Sequence, residues 1–175
     1  MRHYHLILAA GALAACQNPD TPTAPVADLV ALPAHHTVSL KKNGAPLPIG
    51  ELALARAASA KYHDVQKAYD DGYVDINVVL PNMGRHLMRQ DLVNGSFNPE
   101  EPQLLVYSEG PGARLKLVAV EYAVPINLSA SAPEGFTGSA DEWTPNQTFG
   151  LWLLHAWVWK DNPDGMFNPT NSQVP

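Results

Sequence analysis

Three ionisable residues stand among apolar neighbours in separate stretches typical of β-strands: His86 in MGRHLM, Glu121 in ARLKLVAVEYAVP and His155 in FGLWLLHAWVWK. A buried carboxylate without a partner is costly, so Glu121 must find a partner, bind a cation or shift its pKa. Two imidazoles and one carboxylate match the ligands of open-coordinate metal centres such as catalytic zinc or mononuclear non-haem iron. These residue types therefore indicate a divalent metal site with a water or substrate at the remaining position.

Two other interpretations stay open. A histidine on an apolar strand is commonly a core residue bonded to the backbone, and Glu121 can pair with Arg85, Arg89 or Tyr62 without a metal. The three candidate ligands are spread through the chain and lack a compact spacing such as HExxH. The sequence thus allows a metal site, a metal-free buried polar network, or unrelated residues. It has no GxSxG setting for a serine nucleophile and no glycine-rich phosphate loop.

The faces of the predicted strands follow from the alternation of side chains along a strand. This alternation predicts that Glu121 and His155 each share a face with apolar residues. The residues sharing the face of Glu121 are Leu115, Leu117, Ala119 and Ala123, and those sharing the face of His155 are Leu151, Leu153, Trp157 and Trp159.

One long helix is predicted over ELALARAASAKYHDVQKAYDDGYV, which is free of proline and ends at Gly72. His63 on this helix is a candidate fourth metal ligand or a partner of the ligands. A stripe at the helical period predicts its buried face. The stripe consists of Leu52, Ala55, Ala58, Ser59, Tyr62, Val65 and Tyr69.

Strands are predicted in YVDINVVLP, MGRHLM, QLLVYSEG, ARLKLVAVEYAVP and FGLWLLHAWVWK, with EGPGA as a hairpin connection. The stretch INLSASAPEGFTGSADEWTPNQT is predicted to be a long loop with one helical turn near Asp141 to Trp143. The predicted fold class is α+β, with one long helix packed on a mostly antiparallel sheet of four to five strands.

The N-terminus is typical of an exported protein. Residues 1–15 combine a basic lead, a short apolar run and small residues, which predicts a signal peptide. The segment before Cys16 resembles the lipobox of bacterial lipoproteins, which implies that Cys16 becomes the lipidated first residue and partners the membrane. In bacterial lipoproteins an aspartate after this cysteine retains the protein in the inner membrane, so the resemblance, with Gln17 there, implies the outer membrane. Residues 16–49 are proline-rich and predict a tether, and residues 50–175 a single domain.

Composition narrows the remaining function classes. The chain is 46% hydrophobic and 16% charged, as expected for a globular domain. The net charge of −6 argues against a nucleic acid partner and against electrostatic attachment to anionic lipid. Cys16 is the sole cysteine, so a disulfide within the chain and a cysteine-based zinc site are excluded.

Three runs of the chain resemble a family of exported bacterial proteins of unknown function. The runs are MGRHL, then LVNGSFNPEEPQLLVYSEGPGARLKLVAVEYAVP, then LHAWVWKDNPDGMFNPTN. The family pattern pairs MG-x-H, NPE-x-P-x-LLVY, VEY and LH-x-W-x-W segments. The resemblance implies that His86, Glu121 and His155 fall inside family motifs, and it implies no particular activity. Leu87 stands where the pattern has an aromatic residue.

The sequence therefore predicts a lipid-anchored cell-envelope protein with a buried His86, Glu121 and His155 site for zinc or iron. The alternative prediction is a non-catalytic envelope module that binds a small molecule or a protein and contains a metal-free polar network. Whether the chain is an enzyme is left open by these residues.

Overall fold

The computed structural model describes residues 41–42 and 45–175. The predicted signal peptide (1–15), the predicted lipidation site Cys16 and most of the predicted tether (16–49) lie outside the described residues. At the end of the tether, β1 (Lys41–Lys42) pairs with β2 (Ala45–Pro46) in a two-stranded antiparallel sheet. Within the described part of the chain, no helix has both the length and the apolar character needed to cross a membrane.

A six-stranded antiparallel sheet, curled into a half-barrel, dominates the described residues. Its spatial order is β3-β4-β5-β6-β8-β7. The five predicted strands are all present, and the hairpin between β5 and β6 is confirmed. The strands are β3 (Val74–Leu80), β4 (Gly84–Met88), β5 (Leu104–Glu109), β6 (Leu115–Pro125), β7 (Thr144–Asn146) and β8 (Leu151–Ala156).

The predicted fold class, one long helix on a sheet of four to five strands, is wrong. The predicted loop contributes a sixth strand, β7, and residues 141–143 form no helical turn. The helical part is a 15-residue segment, residues 49–63, formed by α1 (Ile49–Ser59) and a 3-10 turn (Ala60–His63). A separate short helix, α2 (Val65–Asp70), follows it.

Asp64 breaks the predicted helix. Its backbone is extended (φ −89°, ψ 104°), and its carboxylate accepts a hydrogen bond of 3.1 Å from the Gln66 backbone N–H. Aspartate favours this capping position over a helix interior because its short side chain bonds to nearby backbone donors. Because α2 begins anew after this cap, its buried face is rotated relative to the predicted stripe. Ala68 is buried, whereas Tyr69, a member of the predicted stripe, is 40% exposed.

The predicted faces of β6 are wrong before Val118, because a β-bulge lies at this residue. Val106 pairs with Ala119 while its neighbour Tyr107 pairs with Leu117, so Val118 is the extra residue. A bulge adds one residue to a strand, so the side chains before it face the opposite way from a regular alternation. Leu117 therefore packs on the helix side of the sheet, and Ala119 and Glu121 face the other way.

The two faces of the sheet bury separate clusters. The helices pack on one face against a cluster that includes Leu105, Tyr122 and Leu154. The opposite face carries smaller apolar clusters around Val106 and Leu104. Residues that lie directly opposite each other on paired strands project from the same face of the sheet. His86 pairs with Val106 and Glu121 pairs with Leu104, so both side chains point away from the helices.

Gly84 at the start of β4 fits where a larger residue would not. Its φ is +99°, and a Cβ atom there would collide with the carbonyl oxygen of Tyr107 on β5. Only glycine accepts this conformation and this approach of backbone to backbone without strain. The glycine thus allows β4 to pair closely with β5, which fixes the position of His86 two residues later.

Candidate metal centre

The register of the central strands brings the three predicted ligands together. Glu121 on β6 lies directly opposite His155 on β8, so both side chains project from the same face. His86 on β4 pairs with Val106 of β5, whose other neighbour is Ala119 on β6. All three polar side chains are almost fully buried, at 4% exposure for His86 and 2% for both Glu121 and His155.

The distances within this group suit a shared cation. His86 Nε2 lies 3.6 Å from Glu121 Oε2, and His155 Nδ1 lies 3.4 Å from Glu121 Oε1. Direct N–H···O bonds are shorter, roughly 2.7 to 3.2 Å. Four ligands placed tetrahedrally about 2.1 Å from a zinc ion are about 3.4 Å from one another. One ligand atom from each residue lies within 4.8 Å of the others, so the buried group could hold a metal ion.

The hydrogen bond of the His86 imidazole favours metal binding. His86 Nδ1 lies 3.2 Å from the carbonyl oxygen of Val78. Since a carbonyl only accepts, Nδ1 carries the proton and Nε2 presents a lone pair towards Glu121. Metal-binding histidines usually donate their second ring N–H in this way. The Nε2 atom of His155 is buried without a hydrogen-bond partner, and its ring stacks on Trp157 (centroids 5.8 Å apart, interplanar angle 14°).

The metal-free partners that the sequence offered to Glu121 are bound elsewhere. Each of these groups binds a carboxylate other than Glu121. The ionisable groups that lie next to Glu121 are therefore the two histidines. The engaged groups are Arg85, which binds Asp75 at 2.8 Å and also Glu109; Arg89, which binds Asp91 at 3.0 Å; and Tyr62, whose hydroxyl donates to Asp71 at 3.0 Å.

Burial shifts the protonation of the group towards neutral forms. It raises the pKa of Glu121 to about 8. It lowers the pKa of His155 to about 3, with a smaller contribution from the charge of His86, and it also lowers the pKa of His86. Near pH 7 the metal-free group therefore has two neutral imidazoles and one neutral carboxylic acid. A divalent ion would displace a single proton, the one on Glu121.

We expect the metal-free protein to lose stability as the pH rises from 6.5 to 8. A carboxyl whose folded-state pKa is raised favours folding below its unfolded value, here 4.5, and this contribution is lost as the pH rises through 8. The slope is about 1.4 kcal/mol per pH unit. The histidines act in the opposite direction at lower pH, since their depressed pKa values destabilise the fold as the pH falls below 6.5.

Urea unfolding of chelator-treated protein from pH 4 to 9 measures this profile. The Glu121→Gln variant is the matched comparison, because it removes the titrating carboxyl and is expected to flatten the fall above pH 6.5. An unfolding free energy that rises equally with pH in both proteins would show that Glu121 is ionised in the metal-free fold.

A cavity of about 70 Å³ opens onto two of the three candidate ligands, His86 and Glu121. Its walls come from both edges of the sheet, so this face is the inside of the curl. The group is therefore not sealed on all sides, and one position next to Glu121 borders open space. The apolar walls include Ile76 and Val78 of β3, Leu104 of β5, Leu151 and Leu153 of β8, and Phe149 of the turn before β8.

His63 does not join the group. Within the described chain, the cluster able to hold a metal consists of His86, Glu121 and His155. His63 is exposed at the end of the 3-10 turn and contacts Trp159 edge-on, with ring centroids 4.3 Å apart. Trp159 belongs to the helix-side cluster, because β8 ends at Ala156 and the predicted alternation does not extend that far. The predicted fourth ligand is thus on the other side of the sheet.

Sequence analysis missed the contribution of β3. The carbonyl of Val78 orients His86, and Ile76 and Val78 line the cavity. Asn77 lies between them with φ +56°, at the shift in register between β3 and β4. An asparagine inside a β-branched run is the signal for such a bulge, since asparagine tolerates this conformation better than most residues.

The chain matches none of the protein-family models, curated proteins or solved structures with which it was compared. The resemblance to a family of exported bacterial proteins therefore stays a prediction, as does the lipobox at Cys16.

Proposed function

We propose that this chain is a metal-binding protein of the cell envelope that holds one zinc or ferrous ion between His86, Glu121 and His155. The observation that carries the proposal is the convergence of these three buried groups at separations longer than hydrogen bonds. Among the described residues, Glu121 has no ion-pair partner besides the two histidines. The envelope location rests on the signal-like residues 1–15 and the lipobox cysteine Cys16.

Each ligand would have a distinct role. The Nε2 atom of His86, oriented by the Val78 carbonyl, supplies a neutral nitrogen. His155 supplies a second nitrogen, and its ring is held by the stack on Trp157. Glu121 supplies the anionic oxygen that offsets part of the charge of the ion. This set leaves a position towards the cavity for water or a small molecule, as in open zinc and non-haem iron sites.

Elemental analysis of full-length protein purified without a histidine tag tests the proposal. We expect about one equivalent of zinc or iron per chain, and a rise in melting temperature when zinc is added to chelator-treated protein. At a free concentration of one hundred times Kd, a ligand stabilises the folded state by about 2.7 kcal/mol. A His86→Gln/His155→Gln variant should show neither effect. Trace metal only, with no thermal response to zinc, iron, copper or manganese, rules the proposal out.

A metal-free polar network in a non-catalytic binding module is the competing proposal. It is favoured by the near-complete burial of all three groups, which raises the pKa of Glu121 and lowers the pKa of both histidines and so favours their neutral forms. In that case Glu121 would donate its proton to a histidine. The same experiment separates the two, since this network takes up no ion and loses stability when either histidine is replaced by glutamine.

A further inference from the structure

The cavity beside the candidate metal centre has the chemistry of a binding site for a small, mostly apolar ligand. Its walls are aliphatic, methionine and phenylalanine side chains, apart from His86, Glu121 and Asn146. Apolar walls stabilise a ligand in proportion to the apolar area it buries. Small-molecule sites in proteins are commonly built this way, with a few polar groups that fix orientation.

Charge decides which polar group the ligand carries. A divalent ion bound to the ionised carboxylate of Glu121 and two neutral histidines leaves one net positive charge. Glu121 is the sole carboxylate among the walls of the cavity. An uncompensated charge is costly in apolar surroundings, so a ligand with one negative charge at its coordinating end is favoured. A carboxylic acid meets this need without losing a proton on binding, since it is already ionised at neutral pH.

More highly charged ligands fit poorly. A phosphate ester or a dicarboxylate brings further oxygen atoms that need hydrogen-bond donors. Among the cavity walls, the N–H of His86 is bonded to the Val78 carbonyl, which leaves the side chain of Asn146 as the available donor. An unmet acceptor in a buried site loses the full free energy of its hydration. The walls therefore select against a second polar end on the ligand.

Size sets the length of the ligand. The cavity of about 70 Å³ holds about five to seven heavy atoms, since about 10 to 15 Å³ of such space accommodates one water molecule. Two of the lining residues, Leu80 and Phe149, are 45% and 54% exposed, so the apolar surface continues to the opening. A chain of about four to six carbons would fill the space and reach these two side chains.

We infer that the cavity binds a short-chain aliphatic monocarboxylate, with its carboxylate on the metal ion and its alkyl chain along β3 and the turn before β8. This inference rests on the proposed function, because the ion supplies the charge that the carboxylate meets. The site would act as a receptor or a substrate pocket for acids of about four to six carbons.

Cobalt-substituted full-length protein provides the test, since the visible spectrum of Co²⁺ reports a change of ligand. Acetate, butyrate, hexanoate and succinate are titrated into protein with one equivalent of Co²⁺. The affinity is expected to rise about four-fold for each added methylene from acetate to butyrate, since each buried CH₂ contributes about 0.8 kcal/mol. Succinate should bind more weakly than butyrate.

Two tryptophan substitutions on β3 provide a matched pair. Ile76→Trp places a larger side chain in the cavity and should weaken butyrate binding at least ten-fold while Co²⁺ still binds. Val74→Trp on the same strand is the control, since Val74 is 57% exposed and does not line the cavity. It should leave both affinities unchanged.

The possible outcomes distinguish this inference from the proposed function. Protein that takes up no Co²⁺ overturns both. Protein that binds Co²⁺ but shows equal affinity for acetate, butyrate and succinate, or no response to any of them, overturns only the carboxylate site. The chain-length series uses the unmodified protein, so it decides the question even if the Ile76→Trp variant fails to fold.

Discussion

Replacing Glu121 with glutamine is expected to weaken zinc binding by roughly a hundred-fold or more. Glutamine keeps the shape of the side chain but removes the negative charge that the ion requires. Structural zinc sites bind with about 10 to 16 kcal/mol shared among four ligands, so the loss of one ligand costs about 3 kcal/mol. This corresponds to about two orders of magnitude in Kd. Competition with a chromophoric chelator at pH 8 measures the difference.

The same substitution should not unfold the protein. Near pH 8 the metal-free wild type carries a carboxyl at its pKa in an almost fully buried site, and the amide avoids that ionisation. The Glu121→Gln variant is therefore expected to be as stable as the wild type at pH 8 without metal. Glu134→Gln, at an exposed glutamate, is the matched control and should leave zinc affinity unaltered. Equal zinc affinity in the Glu121→Gln variant and this control would place the ion elsewhere.

Replacing Trp157 with alanine is expected to lower the free energy of unfolding by about 3 to 5 kcal/mol, the usual cost of truncating a large buried aromatic. Trp157 is 2% exposed, packs against Val106 and Ala119, and stacks on His155. Its indole N–H donates to the carbonyl of Asn168 at 2.7 Å, which ties the C-terminal segment to the sheet. The free energy of unfolding of a whole domain is only about 5 to 15 kcal/mol, so this loss is a large fraction of it.

Two variants separate the roles of Trp157. Trp157→Phe keeps a ring against His155 and loses the hydrogen bond, a contribution of about 1 kcal/mol, together with part of the packing. Trp152→Ala removes a half-buried tryptophan of β8, and a smaller loss is expected. Urea unfolding of chelator-treated protein compares all three. Equal losses for Trp157→Ala and Trp152→Ala would contradict the anchoring role, and unchanged zinc affinity in Trp157→Ala would contradict support of His155.

Local patterns predicted the strands and most of the candidate site. Period-two alternation gave five strands, and apolar neighbours marked His86, Glu121 and His155 as buried, which their exposures confirm. Burial of a strand residue depends mainly on its immediate neighbours, so these features are readable from a short window. Two exceptions break these patterns. Asp64 starts a new helix because it caps the backbone of α2. Val118 forms a bulge where Val106 and Tyr107 pair with Ala119 and Leu117.

The side of the sheet on which His63 lies could not be predicted in the same way. Its position depends on which face of the sheet the helices cover. The alternation of side chains separates the two faces but does not show which one is covered. The short strand β7 was missed for a related reason. Three residues have little pattern of their own, and they form a strand because the edge of β8 is available to pair with them.

The amino-acid sequence by itself determined which chemical groups are available, namely two imidazoles and one carboxylate on apolar strands. It also excluded a cysteine-based metal site and showed an N-terminus typical of export. Only the tertiary structure decided that these three side chains meet, because register between distant strands places Glu121 opposite His155 and brings His86 within 3.6 Å of the carboxylate. Strand pairing joins residues far apart in the chain, and its register is set by bulges and turns along the whole sheet, whereas side-chain alternation is set by each strand alone.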